Sequence, residues 1–161
     1  MPSTSRVAAA QTVASLFVVA FIYVALSARQ PAPGLPASFA VSGHSFDFSA
    51  YAVTQQQQEQ GLMNQTVTNG TFMLFVFSKP SIYRFWMYDT YDALDIIWLN
   101  GTRDGATVVY VAANAQPCVN APQQDCAVYA PDAAANYVIE AKAGFAPAYG
   151  IGVGTRVSFA R

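Results

Sequence analysis

One uncharged stretch near the N-terminus limits what this chain can fold into. Residues 7–28 contain no charged side chain, and Arg6 and Arg29 flank them. At about 1.5 Å per residue, a helix of this length spans roughly 33 Å, which matches the hydrocarbon core of a bilayer. We therefore predict a transmembrane helix over residues 7–28, with residues 1–6 in the cytoplasm and the rest of the chain outside. A signal peptide cleaved after Ala28 is the alternative.

A proline-rich segment follows this stretch. Pro31, Pro33 and Pro36 have fixed φ angles and lack amide donors, so an extended linker is predicted over residues 29–43. Residues 44–161 are then predicted to form one domain outside the cell membrane. After residue 29 the chain has six basic and nine acidic side chains, a net charge of −3. This charge disfavours nucleic acid as a partner.

The cysteines and asparagines agree with an external location. The only two cysteines, Cys118 and Cys126, enclose seven residues of a long polar loop. A disulfide between them is predicted, and it would stabilise the loop by roughly 2.5 kcal/mol. Two unrelated free thiols are the alternative. Three of the six asparagines stand in Asn-x-Thr sequences, which predicts N-glycosylation at Asn64, Asn69 and Asn100.

The rest of the sequence is typical of a mainly β fold. Runs of β-branched and aromatic residues alternate with turn residues, and no long helical periodicity follows residue 28. We predict a compact β-sandwich or jelly-roll-like domain. Thr54 is predicted to cap a helical turn over residues 55–59. The strand over residues 94–99 is predicted to end at Asn100-Gly101, which, with Asp104-Gly105 just after it, indicates a hairpin. Strands are predicted at residues 46–53, 72–77, 83–87, 94–99, 106–113, 137–141 and 155–159.

Several ordered motifs resemble those of one protein family. The motifs are Gly61-Leu62-Met63, residues 73–77, Phe85-Trp86-Met87 with Thr90, residues 94–97, residues 137–140 with Gly144, and Gly150-Ile151 with Gly154. Together they resemble the domain of unknown function 192 family. The resemblance implies a compact β domain, often secreted or membrane-tethered in bacteria and archaea, with no established activity. Gln58, Asp89 and Ala93 stand where the family pattern has arginine, asparagine and proline.

Two carboxylates fall in apolar strands. Asp95 lies between Leu94 and Ile96, and Glu140 follows a valine and an isoleucine. An ionised carboxylate in such a strand must be exposed, paired or hydrogen-bonded. We expect each to accept hydrogen bonds that hold a turn, Asp95 from backbone groups or from the Thr90 hydroxyl. The alternative is that Asp95 and Glu140 approach closely and form an acid–base pair.

Aromatic side chains near residue 86 offer a possible binding face. Trp86, with Phe85 and Tyr88, is a candidate surface for stacking a sugar or a peptide. Core packing is the commoner role of aromatic residues in a β domain. Asp89 and Thr90 could form a polar lip beside this surface.

The sequence predicts neither a metal nor a cofactor. His44 is the only histidine, and zinc motifs, a nucleophile elbow and a phosphate loop are absent from the sequence. Met63, Met73 and Met87 could converge as thioether ligands for Cu(I), although core packing is the commoner role for methionine.

Three functional hypotheses follow from the sequence. The first is a non-enzymatic, membrane-anchored module that binds an envelope component, such as a glycan, or another protein. The second is a cell-envelope enzyme that uses Asp95 and Glu140 in a groove floored by Trp86 and Met87. The third is a surface-filament or assembly subunit, since low charge and an apolar N-terminal helix also suit a filament. The candidate site comprises Trp86, Met87, Asp89, Thr90, Asp95 and Glu140.

Overall fold

The structure is a computed structural model that describes residues 33–161. The predicted transmembrane segment, residues 7–28, and the predicted cytoplasmic residues 1–6 lie outside this range. None of the helices in residues 33–161 is long and apolar enough to cross a membrane.

Strands dominate the described part of the chain, which confirms the mainly β prediction. The elements in chain order are β1 (Ser38–Val41), β2 (His44–Asp47), β3 (Ala50–Ala52), α1 (Gln55–Gln60), β4 (Phe72–Ser81), β5 (Phe85–Trp86), β6 (Leu94–Thr102), β7 (Gly105–Ala115), a 3₁₀ turn (Gln123–Asp125), β8 (Val128–Tyr129), β9 (Ala135–Lys142), α2 (Phe145–Ala148) and β10 (Arg156–Ala160).

Eight of these strands form one curled sheet, in the order β2-β1-β10-β7-β6-β9-β4-β3. Neighbouring strands are antiparallel, except that β3 runs parallel to β4. β5 and β8 form a separate two-stranded sheet. The architecture therefore differs from the predicted sandwich of two packed sheets. The alternation of apolar and polar residues along a strand indicates which side chains are buried. It does not indicate which strands belong to the same sheet.

Both faces of β6 and β9 are buried along most of each strand, and this explains the continuous apolar runs in these central strands. On β6, Ile97 and Leu99 point into one core cluster, whereas Ile96 and Trp98 point into the other. Phe39, Leu74, Val108 and Ile139 belong to the first cluster, and Phe75, Met87, Leu94 and Val138 belong to the second.

The N-terminal edge of the domain differs from the prediction. β1 lies inside residues 29–43, which the sequence assigns to the linker, and it buries Phe39 and Val41. A four-residue strand between a proline and a glycine is too short for its alternation to stand out. The strand predicted over residues 46–53 is interrupted between β2 and β3, because the amides of Phe48 and Ser49 donate to the carbonyl oxygens of Ala37 and Phe72.

The hairpin between β6 and β7 turns later than predicted. Gly101 pairs with Ala106 inside the ladder, and the strand continues to Thr102. A Cβ atom at Gly101 would lie 2.4 Å from the Ala106 Cα atom, so this glycine is required by close backbone approach. The two turn residues are Arg103 and Asp104, between the paired residues Thr102 and Gly105.

The disulfide between Cys118 and Cys126 is present, with a Cα–Cα distance of 5.8 Å. The amide of Cys118 donates to the carbonyl oxygen of Met87, and the amide of Asp89 donates to that of Cys118. The disulfide loop is therefore hydrogen-bonded to the segment that follows β5.

Candidate functional site

Asp95 is completely buried and fully hydrogen-bonded to backbone amides. Its Oδ1 atom accepts from the amide of Asn114 at 2.7 Å, and its Oδ2 atom accepts from those of Gly144 at 3.0 Å and Ala146 at 2.7 Å. Asn114 has a φ of 54° and lies where the β6–β7 register shifts, so the carboxylate stabilises a β-bulge. It also binds the amides at the start of α2. These contacts give Asp95 a structural role.

The partners of Asp95 differ from those expected on the sequence. The Thr90 hydroxyl donates to the carbonyl oxygen of Tyr88 at 3.3 Å, so it closes its own turn and does not contact Asp95. Asp95 instead joins segments that are 19 to 51 residues away along the chain.

Asp95 and Glu140 point to opposite faces of the sheet. In the β6–β9 ladder, Asp95 pairs with Ala141, whereas Glu140 pairs with Ile96. Because successive side chains of a strand alternate between faces, the sheet separates the two carboxyl groups. The acid–base pair considered on the sequence is therefore not formed.

Glu140 is the unusual side chain of this domain, because the hydrogen bonds expected for it from the sequence are not formed at its Oε2 atom within residues 33–161. It is 4% exposed, and its neighbours across the two ladders are Met73 on β4 and Ile96 on β6. Its Oε2 atom has no hydrogen-bond partner in residues 33–161. Burial among apolar side chains raises the pKa of the Glu140 carboxyl from 4.5 to about 8, because the charged form loses its hydration.

Glu140 lies in the wall of a cavity of about 170 Å³, which we call the α1 pocket. Thr54 positions α1 beside it through a capping box with Gln57, which confirms the predicted cap. The α1 pocket is lined by polar side chains of α1, by the segment after α1, by aromatic rings of β4 and β5, and by Glu140. The lining residues are Gln55, Gln58, Glu59, Gln60, Gly61, Leu62, Met63, Phe75, Phe77, Tyr83, Arg84, Phe85, Trp86, Thr90 and Glu140.

Three of the six predicted site residues line this pocket. They are Trp86, Thr90 and Glu140. Met87 is buried in the core and Asp89 takes part in the backbone contacts of the disulfide loop. Asp95 faces the other side of the sheet. The pocket therefore contains the tryptophan and the glutamate of the predicted site, but it does not contain Asp95.

Other pocket residues were not predicted as site residues. Gly61 has a φ of 47°, and a Cβ atom there would lie 3.5 Å from Glu140 Oε2. The sequence indicates a role for Gly61 only through its place in the Gly61-Leu62-Met63 motif. The rings of Phe77 and Tyr83 stack with their centroids 3.5 Å apart and form one wall. The sequence carries no sign of that contact.

Among the other candidate positions, Met63 and Phe85 also line the α1 pocket, whereas Met73 does not. Phe85 packs edge-on against Phe75 and Trp98, so it does not form an exposed stacking face with Trp86. Met73 and Met87 belong to the core cluster of that face. Within residues 33–161, no group of three or more His, Cys, Asp or Glu side chains could hold a metal ion.

A wider depression of about 570 Å³ is lined by residues of β1, β6, β7 and β10, near Asn100. Most of the polar side chains that line it, including Ser42, Asp104 and Arg156, are exposed to solvent. A buried polar group facing a cavity indicates a binding site better than volume does, so the α1 pocket is the candidate site.

The fold and this pocket define a mainly β domain with a buried carboxyl group at its cavity. The model of the DUF192 family, described as an uncharacterized ACR, matches residues 38–159, and the chain belongs to this family. The resemblance noted in the sequence motifs is thereby confirmed.

Two solved structures share the fold. One is a protein of unknown function from Novosphingobium aromaticivorans DSM 12444, with a TM-score of 0.63 and 30% identity over 80% of this chain and 89% of that one. The other is a protein from Sinorhizobium meliloti 1021 that has been proposed as a transcription regulator, with a TM-score of 0.62 and 29% identity over 76% of this chain and 90% of that one. No curated protein matches the chain.

Proposed function

We propose that the chain is a membrane-anchored module whose β domain lies outside the cytoplasm and binds a small envelope component in the α1 pocket. The observation that carries this proposal is the buried Glu140 side chain, which lines a cavity and whose Oε2 atom has no hydrogen-bond partner within residues 33–161. Buried polar groups in native proteins are nearly always hydrogen-bonded. A buried carboxyl group in the wall of a cavity, with an oxygen that the described residues leave unpaired, is a group with which a bound ligand would interact.

The family motifs support the same site. Gly61, Phe75, Trp86, Thr90 and Glu140 all belong to motifs that carry the family resemblance, and all line the α1 pocket. These residues come from four separate segments of the chain. Packing of the core would not by itself require that they meet at one cavity.

A binding module agrees better with the geometry than the enzyme that uses Asp95 and Glu140, because the two carboxyl groups lie on opposite faces of the sheet. A second candidate is an enzyme in which Glu140 alone donates a proton. The raised pKa of Glu140 favours it, since a carboxyl that stays protonated near neutral pH is a general acid. Chemical conversion of a bound ligand, detected by mass spectrometry, would select the enzyme over the module.

Three features support the membrane-anchored, external location. Residues 7–28 are uncharged and long enough to span a bilayer. The disulfide suits an oxidising compartment. Asn64, Asn69 and Asn100 are exposed and accessible to a glycosylating enzyme.

We expect endoglycosidase treatment of the native protein to increase its gel mobility, and unchanged mobility would count against glycosylation.

Ligand binding is tested by nuclear magnetic resonance on the full-length chain in detergent micelles. The chain has two tryptophans, so two indole N–H signals report the pocket and its surroundings. Trp86 lines the α1 pocket, whereas Trp98 is fully buried outside the lining. Probes of four classes are titrated: n-butylammonium, n-butanol, butyrate and methyl glucoside. The proposal expects a saturable shift of the Trp86 signal with at least one class, and it fails if none produces one.

The filament hypothesis is addressed by electron microscopy of the native membrane. Regular fibres that bind an antibody to this chain would favour an assembly subunit over a ligand-binding module.

A further inference from the structure

We propose that the α1 pocket takes the protonated amine head group of a small organic cation, with the Glu140 carboxylate as its counter-ion. This inference rests on the proposed ligand-binding function and specifies the chemical class of the ligand. It follows from the acceptor at the cavity, the aromatic walls, the charges of the lining and the size of the space.

The acceptor calls for a donor on the ligand. Glu140 Oε2 is buried without a hydrogen-bond partner in the described residues, and an ionised carboxylate only accepts hydrogen bonds. Gly61 packs beside this oxygen, since a Cβ atom at this position would lie 3.5 Å from Oε2. Glu140 itself lines the pocket, so a ligand N–H group bound there would lie beside this carboxyl side chain. A quaternary ammonium has no N–H to offer.

Aromatic rings form much of the wall of the α1 pocket. Phe77 and Tyr83 stack with an interplanar angle of 11°, and the Tyr83 hydroxyl donates to the carbonyl oxygen of Lys79, so its ring rather than its hydroxyl serves the pocket. Phe75, Phe85 and Trp86 complete the walls. The faces of aromatic rings carry partial negative charge and attract cations placed near them.

The charged groups of the lining agree with a cation. Besides Glu140, they are Glu59 on α1 and Arg84 beside β5, both exposed to solvent. The flanking strands place Met73 and Ile96 beside Glu140, so neither strand supplies a counter-ion there. With Glu140 ionised, the lining carries a net charge of −1. An anionic ligand would have to approach this carboxylate without a buried cation to offset it.

The cavity volume limits the head group. About 170 Å³ is close to the volume of roughly 150 Å³ that holds benzene in an engineered protein cavity, so about six non-hydrogen atoms fit. An alkylammonium with four carbon atoms has this size. A larger ligand would place only its amine end inside the pocket.

Binding of such a cation releases a proton. Since the pKa of Glu140 is raised to about 8, the carboxyl of the free domain is mostly protonated at neutral pH. The bound ammonium requires the ionised form, so binding displaces the carboxyl proton to solvent. The dissociation constant is therefore expected to fall about fifty-fold between pH 6 and pH 8, while the ammonium itself stays charged.

The experiment compares matched probes on the full-length chain in detergent micelles, with the Trp86 indole signal as the readout. n-Butylammonium and n-butanol share the same alkyl chain and differ in charge. We expect n-butylammonium to bind at least ten times more tightly than n-butanol or butyrate at pH 8. It should also bind more tightly than tetramethylammonium, which lacks an N–H group.

Variants separate the carboxyl from general charge effects. Glu140→Gln should remove both the preference for the ammonium and the pH dependence of its binding. Asp132→Asn, which removes an exposed acid outside the pocket lining, should retain both. If n-butanol or butyrate binds as well as n-butylammonium, the cation inference is overturned while ligand binding stands. If no probe shifts the Trp86 signal, the proposed function fails with it.

Discussion

Replacing Glu140 by glutamine should change how the stability of the domain depends on pH. Glutamine keeps the shape of the side chain but does not titrate. The pKa of the Glu140 carboxyl is about 8 in the folded domain, against 4.5 as its ordinary value. The folded state therefore holds this proton more tightly than the unfolded chain does. The resulting stabilisation is complete below pH 4.5 and is lost as the pH rises towards 8.

The size of this effect follows from the difference in pKa. One unit corresponds to about 1.4 kcal/mol, so the wild-type domain should lose about 3–4 kcal/mol between pH 5 and pH 8 through Glu140. The variant lacks this loss. Its buried amide has a fixed cost of about 1–3 kcal/mol, which does not depend on pH. Between pH 5 and pH 8, the free energy of unfolding of Glu140→Gln should thus rise by about 3–4 kcal/mol relative to that of the wild type. This corresponds to a relative gain of roughly 10 °C in Tm.

Urea unfolding of both proteins at pH 5, 6, 7 and 8, with the disulfide intact, measures the effect. Other titrating groups contribute nearly equally to both proteins and cancel in the comparison. Asp132→Asn is the matched control, because it removes an exposed carboxylate and should follow the wild-type pH profile. Parallel profiles for wild type and Glu140→Gln would refute the conclusion that Glu140 is held uncharged in the folded domain.

Three further predictions concern other parts of the chain. Asp95→Asn places an amide NH₂ against backbone donors and should destabilise the domain by about 3–6 kcal/mol; a wild-type melting temperature would contradict the structural role of Asp95. Reduction of the bond between Cys118 and Cys126 should lower stability by about 2.5 kcal/mol in urea unfolding, and a non-reduced peptide map should contain the linked pair. N-terminal sequencing of the native membrane protein should find residues 7–28 in place, whereas a start at Arg29 would establish cleavage.

The central strands were predictable because their apolar runs are long and their turn residues distinct. β6 and β9 follow this rule, and their buried faces leave few choices for a carboxylate. The sequence thus indicates a hydrogen-bonded role for Asp95. It cannot identify the donors, because two of them lie about fifty residues further along the chain and only the sheet brings them close.

The pocket was harder to predict than the strands. Trp86, Thr90 and Glu140 stand out by residue type or motif, but the cavity also depends on where α1 lies against β4 and β5. Strand register decides that Glu140 faces the pocket and Asp95 does not. The spacing of residues within one strand shows which of them share a face of the sheet. Which residues of two different strands share a face is known only from the pairing of those strands.

The most direct test of the account is the titration of the Glu140 carboxyl itself. The chain has two glutamates, so labelling glutamate with ¹³C at the side-chain carboxyl gives two signals, which the Glu140→Gln variant assigns. In the free protein the Glu140 signal should titrate near pH 8. With saturating n-butylammonium, the same signal should already be that of the ionised form at pH 7. A Glu140 signal that titrates near pH 4.5 in the free protein and does not respond to the ammonium would contradict the account.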